Sequence, residues 1–141
     1  MKNYLEPTME QGCRFVMQNE AGPFVMLNLI RFRQYADYSA FPDIEPAAPI
    51  SGEEAYNLYI EQTIPFLAES GGELLFDGSG GSFLIGPEDE AWHRVLLVRQ
   101  SSIGSFMAFN SNQEYLKVLR HRTAAVADSR LLPLIDELII V

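Results

Sequence analysis

Apolar residues recur along this chain in two rhythms. From Phe24 to Phe32 (FVMLNLIRF) and from Val95 to Val98 within AWHRVLLVRQ they run almost without interruption, which marks strands buried on both sides rather than half-exposed ones. Elsewhere they return every three or four residues, the spacing of a helix with one buried face. Tyr56, Tyr59, Ile60, Thr63, Ile64 and Leu67 make such a stripe, as do Met9, Cys13, Val16 and Met17. Ser or Thr precedes each helical segment, and three of these carry an acid or amide at the third position after it: Thr8 with Gln11, Ser51 with Glu54, and Ser111 with Glu114. That is the reciprocal capping pattern. It predicts a short helix over 8–18, a long one from Ser51 to Ser70 ended by Gly71 and Gly72 and kinked at Pro65, and a last helix opening at Ser111. A further helical segment starts near Ser102 and breaks at Asn110.

Two weaker strands complete the pattern. Glu73 to Gly86 is interrupted by Gly78, Gly80 and Gly81, which suits a bent or bulged edge strand. The stretch from Arg130 to Val141 holds Pro133 and also fits an edge. The segment 34–50 holds Pro42, Pro46 and Pro49 with little periodicity, so it reads as a long loop, a lid or a dimer arm. After an extra first helix the order is strand, helix, strand, strand, helix, strand. This is the α+β, ferredoxin-like βαββαβ arrangement: a four-stranded antiparallel sheet with the first and third strands in the middle, expected to be parallel to one another, and helices on one face. The other face would then show Phe, Met, Ile and Leu to water, and a twofold homodimer closing two such faces is the simplest remedy.

The run GPFVMLNLIRF (22–32), SGEEAY (51–56), the pair Gly71 and Gly72, IGP (85–87) leading to Trp92, and RTAAVADSRL (122–131) together resemble domain-of-unknown-function family 1330, of the dimeric α+β barrel superfamily. The resemblance covers 22–134 and implies a ferredoxin-like dimeric barrel, with 1–21 as an N-terminal helical extension and 22–141 as the barrel domain. It implies no established activity. Relatives by fold include cofactor-independent monooxygenases, isomerases, haem-degrading enzymes and stress-induced proteins, so fold does not choose a reaction.

Composition narrows the field further. Ten bases against nineteen acids leave a net charge of −9, which repels nucleic-acid backbones. The opening MKNYLEPT has no secretory pattern, and no apolar run is long enough for a bilayer, so the expectation is a cytoplasmic protein with no membrane partner. One cysteine and two histidines offer no metal cluster, and nothing calls for a cofactor.

The residues open to chemistry are few. Asn28 shares a strand face with Phe24, Met26, Ile30 and Phe32 and needs hydrogen-bond partners there, from the backbone or from a ligand. Arg31 lies on the opposite face with Val25, Leu27 and Leu29. Arg122 falls in the apolar stripe of the last helix with Tyr115, Leu119 and Val126, and an inward guanidinium needs an anion. Asp128 can supply it, with Arg130, as a structural network; the rival is a ligand carboxylate, which the planar guanidinium fork matches. His121 turns about a hundred degrees from Arg122 and is expected in solvent. His93, before a buried strand, is the candidate proton carrier. Tyr59 and Trp92 would line an aromatic pocket. The reading is a homodimer that binds a small, partly apolar, anionic organic molecule through Asn28, Tyr59, Trp92 and Arg122. An oxygenase or isomerase using His93 is the enzymatic form of it, and a ligand-free structural or stress-related dimer is the alternative.

Overall fold

The computed structural model describes residues 2–18 and 22–135. The first helix, α1 (Met9–Val16), opens on Thr8, whose side chain and that of Gln11 cap each other's backbone N–H groups. The chain then forms β1 (Phe24–Phe32), α2 (Gly52–Glu69), β2 (Glu73–Ser79), β3 (Arg94–Gln100), α3 (Ile103–Asn110), α4 (Gln113–Ala125) and β4 (Val126–Leu134). Ser51 and Glu54 make the same reciprocal cap on α2, and that helix runs through Pro65 without ending. The boundary expected near residue 21, and the tail beyond Ile135, lie outside the described residues.

The sheet order is β2-β3-β1-β4, the ferredoxin-like order, with β1 and β3 central as their unbroken apolar character requires. Their pairing corrects the expectation that they are parallel: β1 and β3 run antiparallel, with Phe24 opposite Gln100 and Ile30 opposite Arg94. The reason is topological. The α2 crossover returns the chain parallel to β1 but one strand away, and the antiparallel connection from β2 to β3 then fills the gap in the opposite sense. β2 is the bulged edge, its register slipping between Leu74 and Phe76. At the other edge β4 follows α4 with no loop at all: Val126, expected on the helix, already has extended angles and lies opposite Phe32.

A second correction concerns the start of α4. Asn112, not Ser111, caps it, accepting from the N–H groups of Glu114 and Tyr115. Ser111 is occupied in closing α3, its hydroxyl donating to the Met107 carbonyl at 2.6 Å. Only two residues separate the helices, so each end takes one of them.

Register divides every strand between two faces. The helix side collects Ile30, Leu96, Val98 and Val126 with Ala55, Tyr56, Tyr59, Leu67, Tyr115 and Val118 from the helices, and this is the core. The opposite, open side carries Val25, Leu27, Leu29 and Arg31 of β1, Val95, Leu97 and Arg99 of β3, Phe76 of β2, and Asp128, Arg130 and Leu132 of β4. Phe76 is 51% and Leu132 54% exposed. No helix among the described residues is long and apolar enough to cross a membrane.

Candidate functional site

The residues singled out in the sequence do not converge on one pocket; the sheet separates them. On the helix side Tyr56 and Tyr59 leave α2 three residues apart, one helical turn, and meet Tyr115 from α4. The phenol oxygens of Tyr59 and Tyr115 lie 2.7 Å apart in a buried hydrogen bond. Rings continue outward on both sides of this pair: Phe109 lies 4.3 Å from Tyr115, and Tyr56, Phe32 and His93 follow beyond Tyr59 at 5.4, 5.4 and 5.7 Å. Burial pushes the Tyr56 and Tyr115 phenols well above their ordinary range, so both stay protonated at any physiological pH.

Two arginines border this aromatic cluster and differ sharply. Arg94 is fully engaged: it forks onto Asp77, donates to Asn57 at 2.8 Å and stacks over Tyr56. Arg122 is half-buried and makes no hydrogen bond or ion pair among the described residues, although its charge acts on both Tyr56 and Tyr115. The expected Arg122 to Asp128 pair is therefore absent. The cause is that α4 stops at Ala125 and Asp128 belongs to the open face of β4, across the sheet from Arg122.

Asp128 instead organises the open face. It is fully buried and accepts from Arg31 at 2.9 Å, Arg130 at 2.7 Å, the Tyr4 N–H at 2.8 Å and the Ser129 N–H at 2.9 Å. Burial alone would raise its pKa, but the Tyr4 hydrogen bond and the Arg130 guanidinium outweigh burial and hold it below the usual carboxylate range. Arg130 lies between the Tyr4 and Trp92 rings, at 4.7 and 5.0 Å, and Arg31 approaches Trp92 from another side at 5.8 Å. Trp92 is buried, and its indole N–H donates to Glu90. This is a closed structural network, with Arg31 in the place expected of Arg122.

The remaining candidates are spoken for locally. Asn28 is half-buried on the helix side and donates to its own strand at the Met26 carbonyl, 3.3 Å away. His93 is exposed, and its Nδ1 accepts the Phe32 N–H at 3.0 Å, which engages the lone pair a proton carrier would need and fixes the proton of the neutral ring on Nε2. His121 corrects the expectation of a solvent position: it is half-buried, with Nδ1 2.7 Å from the Tyr38 hydroxyl. Tyr38 is itself buried and comes from the 33–50 segment, which is thus strapped onto α4, with help from an Arg120 to Asp43 ion pair at 2.8 Å. Tyr38 was invisible in the sequence because nothing local distinguishes it from other loop tyrosines. Tyr115 was legible as a stripe residue, but its phenol partner sits 56 positions away.

A cavity of about 220 Å³ lies elsewhere, at the Phe24 end of the sheet, lined by Phe15, Pro23, Phe24, Ile103, Pro133 and Ile135 among others.

No protein-family model matches the chain, and neither does any curated protein, so the placement in family 1330 gains no support. Solved structures do match. The crystal structure of methylated RPA0582 protein is 35% identical with a TM-score of 0.83, covering 95% of each chain. That of RPA0582, a protein of unknown function from Rhodopseudomonas palustris, is 34% identical with a TM-score of 0.82, over 94% of this chain and 96% of that one. A dimeric ferredoxin-like protein of unknown function from Thermobifida fusca YX aligns at 14% identity over 83% of this chain and 93% of that one, with a TM-score of 0.39, too distant to support an argument. At more than a third identity over nearly its whole length, the chain belongs to the family of the R. palustris protein RPA0582.

Proposed function

We propose that the protein acts as a homodimer closed through its open sheet face and binds a small, partly apolar organic anion at Arg122, beside the Tyr59 to Tyr115 pair. The observation that carries this is the contrast among the arginines: Arg31, Arg94, Arg120 and Arg130 each hold an acid, while Arg122, like Arg33 and Arg99, holds none among the described residues and, unlike those two, acts on the buried phenols Tyr56 and Tyr115. A half-buried guanidinium without a counter-charge is costly, and a carboxylate ligand would neutralise it in bidentate fashion. The Tyr56 and Tyr115 phenols remain protonated, so they can donate hydrogen bonds to an anionic or developing oxyanionic group but cannot remove a proton. Any turnover would then draw its reactivity from the substrate, in the manner of a cofactor-independent oxygenase or isomerase. The sequence-based lining is thereby reduced to Arg122 and Tyr59, joined by Tyr115.

The ligand-free structural dimer remains the second reading. It is favoured by the fact that Asn28, Trp92, His93, Asp128 and Arg130 all have protein partners. Thermal-shift screening against small carboxylates and phenols separates the two. A true ligand at about a hundred times its dissociation constant adds about 2.7 kcal/mol, and Arg122→Met abolishes the shift. An equal shift in that variant removes Arg122 from the site, and a silent panel favours the structural reading.

A further inference from the structure

The open face of the sheet carries one charge that its own chain leaves unanswered. Arg99 stands on β3 beside Val25 and two residues from Leu97, is half-buried, and holds no acid among the described residues. Glu73 lies directly opposite on β2, exposed, yet the two make no ion pair. At the other end of the same face the balance is reversed. Glu88, Asp89 and Glu90 follow one another in the connection between β2 and β3, and the Glu90 carboxylate accepts the Trp92 indole N–H at 3.1 Å. Trp92 in turn lies against Arg130 and Arg31 of the open side, so these acids border that side. Arg99 and Trp92 are separated by seven extended residues, about 23 Å. One copy cannot bring them together.

A second copy can. Two sheets close face to face about a twofold axis that lies either along the strands or across them. An axis along the strands lays the Arg99 end of one copy on the Arg99 end of the other. The two guanidiniums then fall in the same row, and neither gains an acid from the described residues. An axis across the strands instead lays each Arg99 end on the Trp92 end of the other copy. Folded about the row of Leu27 and Leu97, Arg99 stands over Val95 of the second copy, three residues or about 10 Å from Trp92. An extended arginine and an extended glutamate span that gap between them.

Charge decides between the two axes. Closing an apolar face over a guanidinium without a counter-charge is costly, and setting like charges near each other in an interface adds to the cost. The axis across the strands avoids both and gives each Arg99 an acidic neighbour. We infer that two copies pack open face to open face with their twofold axis across the strands, held in register by ion pairs between Arg99 of each copy and the Glu88 to Glu90 acids of the other. The inference rests on the homodimer reading above and adds to it the orientation of the two copies and the residues that fix it.

Charge reversal in the full chain, with dimer dissociation constants read by sedimentation velocity, tests it. Arg99→Glu should raise the constant at least about 30-fold and Glu88→Lys/Asp89→Lys about 10-fold, while the three changes together should return it to within about fivefold of wild type. Glu90 is left in place because Trp92 uses it. Arg99→Gln, which sets no second acid opposite Glu73 and so spares the fold, should weaken the dimer about fivefold and flatten its salt dependence. Glu73→Gln should leave the dimer unchanged. A wild-type dimer whose affinity and salt dependence are the same in Arg99→Gln overturns the role of Arg99 and leaves the homodimer standing. Failure of the triple change to recover affinity that Arg99→Glu lost overturns the pairing with the acids, as does a loss in Glu73→Gln equal to that in Arg99→Gln. A monomeric wild type overturns the homodimer itself.

Discussion

The two faces of the sheet handle buried polarity in opposite ways. On the helix side the buried tyrosines make neutral pairs, phenol with phenol at Tyr59 and Tyr115 and phenol with imidazole at Tyr38 and His121, and the charged Arg94 and Arg122 stay at the border of the cluster. On the open side one buried carboxylate, Asp128, is surrounded by two guanidiniums and two backbone N–H groups. Each strategy fits its surroundings. Neutral pairs cost little to desolvate and suit a core assembled from two helices. A buried charge demands several donors at once, and only the strand edge, with its free backbone groups and the Tyr4 segment beside it, provides them.

Breaking the ionic side should therefore have the largest effect. Asp128→Ala leaves Arg31 and Arg130 facing each other without a counter-charge and frees the Tyr4 segment. The expected loss is about 3 kcal/mol in urea unfolding, the lower end for a broken buried pair because both arginines remain partly hydrated. A loss under about 1 kcal/mol would mean that the network is not what holds this end of the sheet. The neutral side should respond more mildly. Tyr59→Phe and Tyr115→Phe should each cost about 1 to 2 kcal/mol by stranding the other hydroxyl, and the double variant should cost clearly less than their sum. Strict additivity in that cycle would show that the two phenols are not coupled.

A milder effect is expected from pH on the neutral side. Burial, with Arg120 beside it, lowers the His121 pKa below the ordinary 6.5, so the unfolded chain binds the proton more readily than the folded one. Stability should fall as pH drops below about 6.5 and level off once the folded-state value is passed. The charges near the ring are Arg120 on its own helix and, across the strap, Asp43 on Arg120, and the neutral Tyr38 phenol faces it directly. His121→Phe should remove this step while leaving the more acidic one, where Asp128 is protonated. An unchanged profile would place the titration elsewhere.

Much of the fold was legible because its signals are local. The caps at Thr8, Ser51 and Ser102 and the apolar run of β1 each act within a few residues of themselves. What escaped is relational. The sense of β3 depends on counting crossovers, not on its own residues. The capping of α4 by Asn112 depends on Ser111 being occupied by α3. The site is harder to read for the same reason: Arg122 is half-buried, and the acid expected to hold it belongs to a strand that begins one residue after the helix ends. Asn28 within one apolar run, and Trp92 and His93 just before another, carry no local sign of which side of the sheet they take.

One modest contact has a consequence for how this protein behaves in a crowded solution. The Tyr4 carbonyl accepts from the Ser129 N–H at 2.9 Å and from its hydroxyl at 2.7 Å, while Pro133 further along β4 has no N–H to offer. The outermost ladder is thus plugged at one end and blunted at the other, which removes the template on which foreign strands add and fibrils grow. Self-association is steered away from open-ended stacking and toward assemblies that stop at a fixed number of copies.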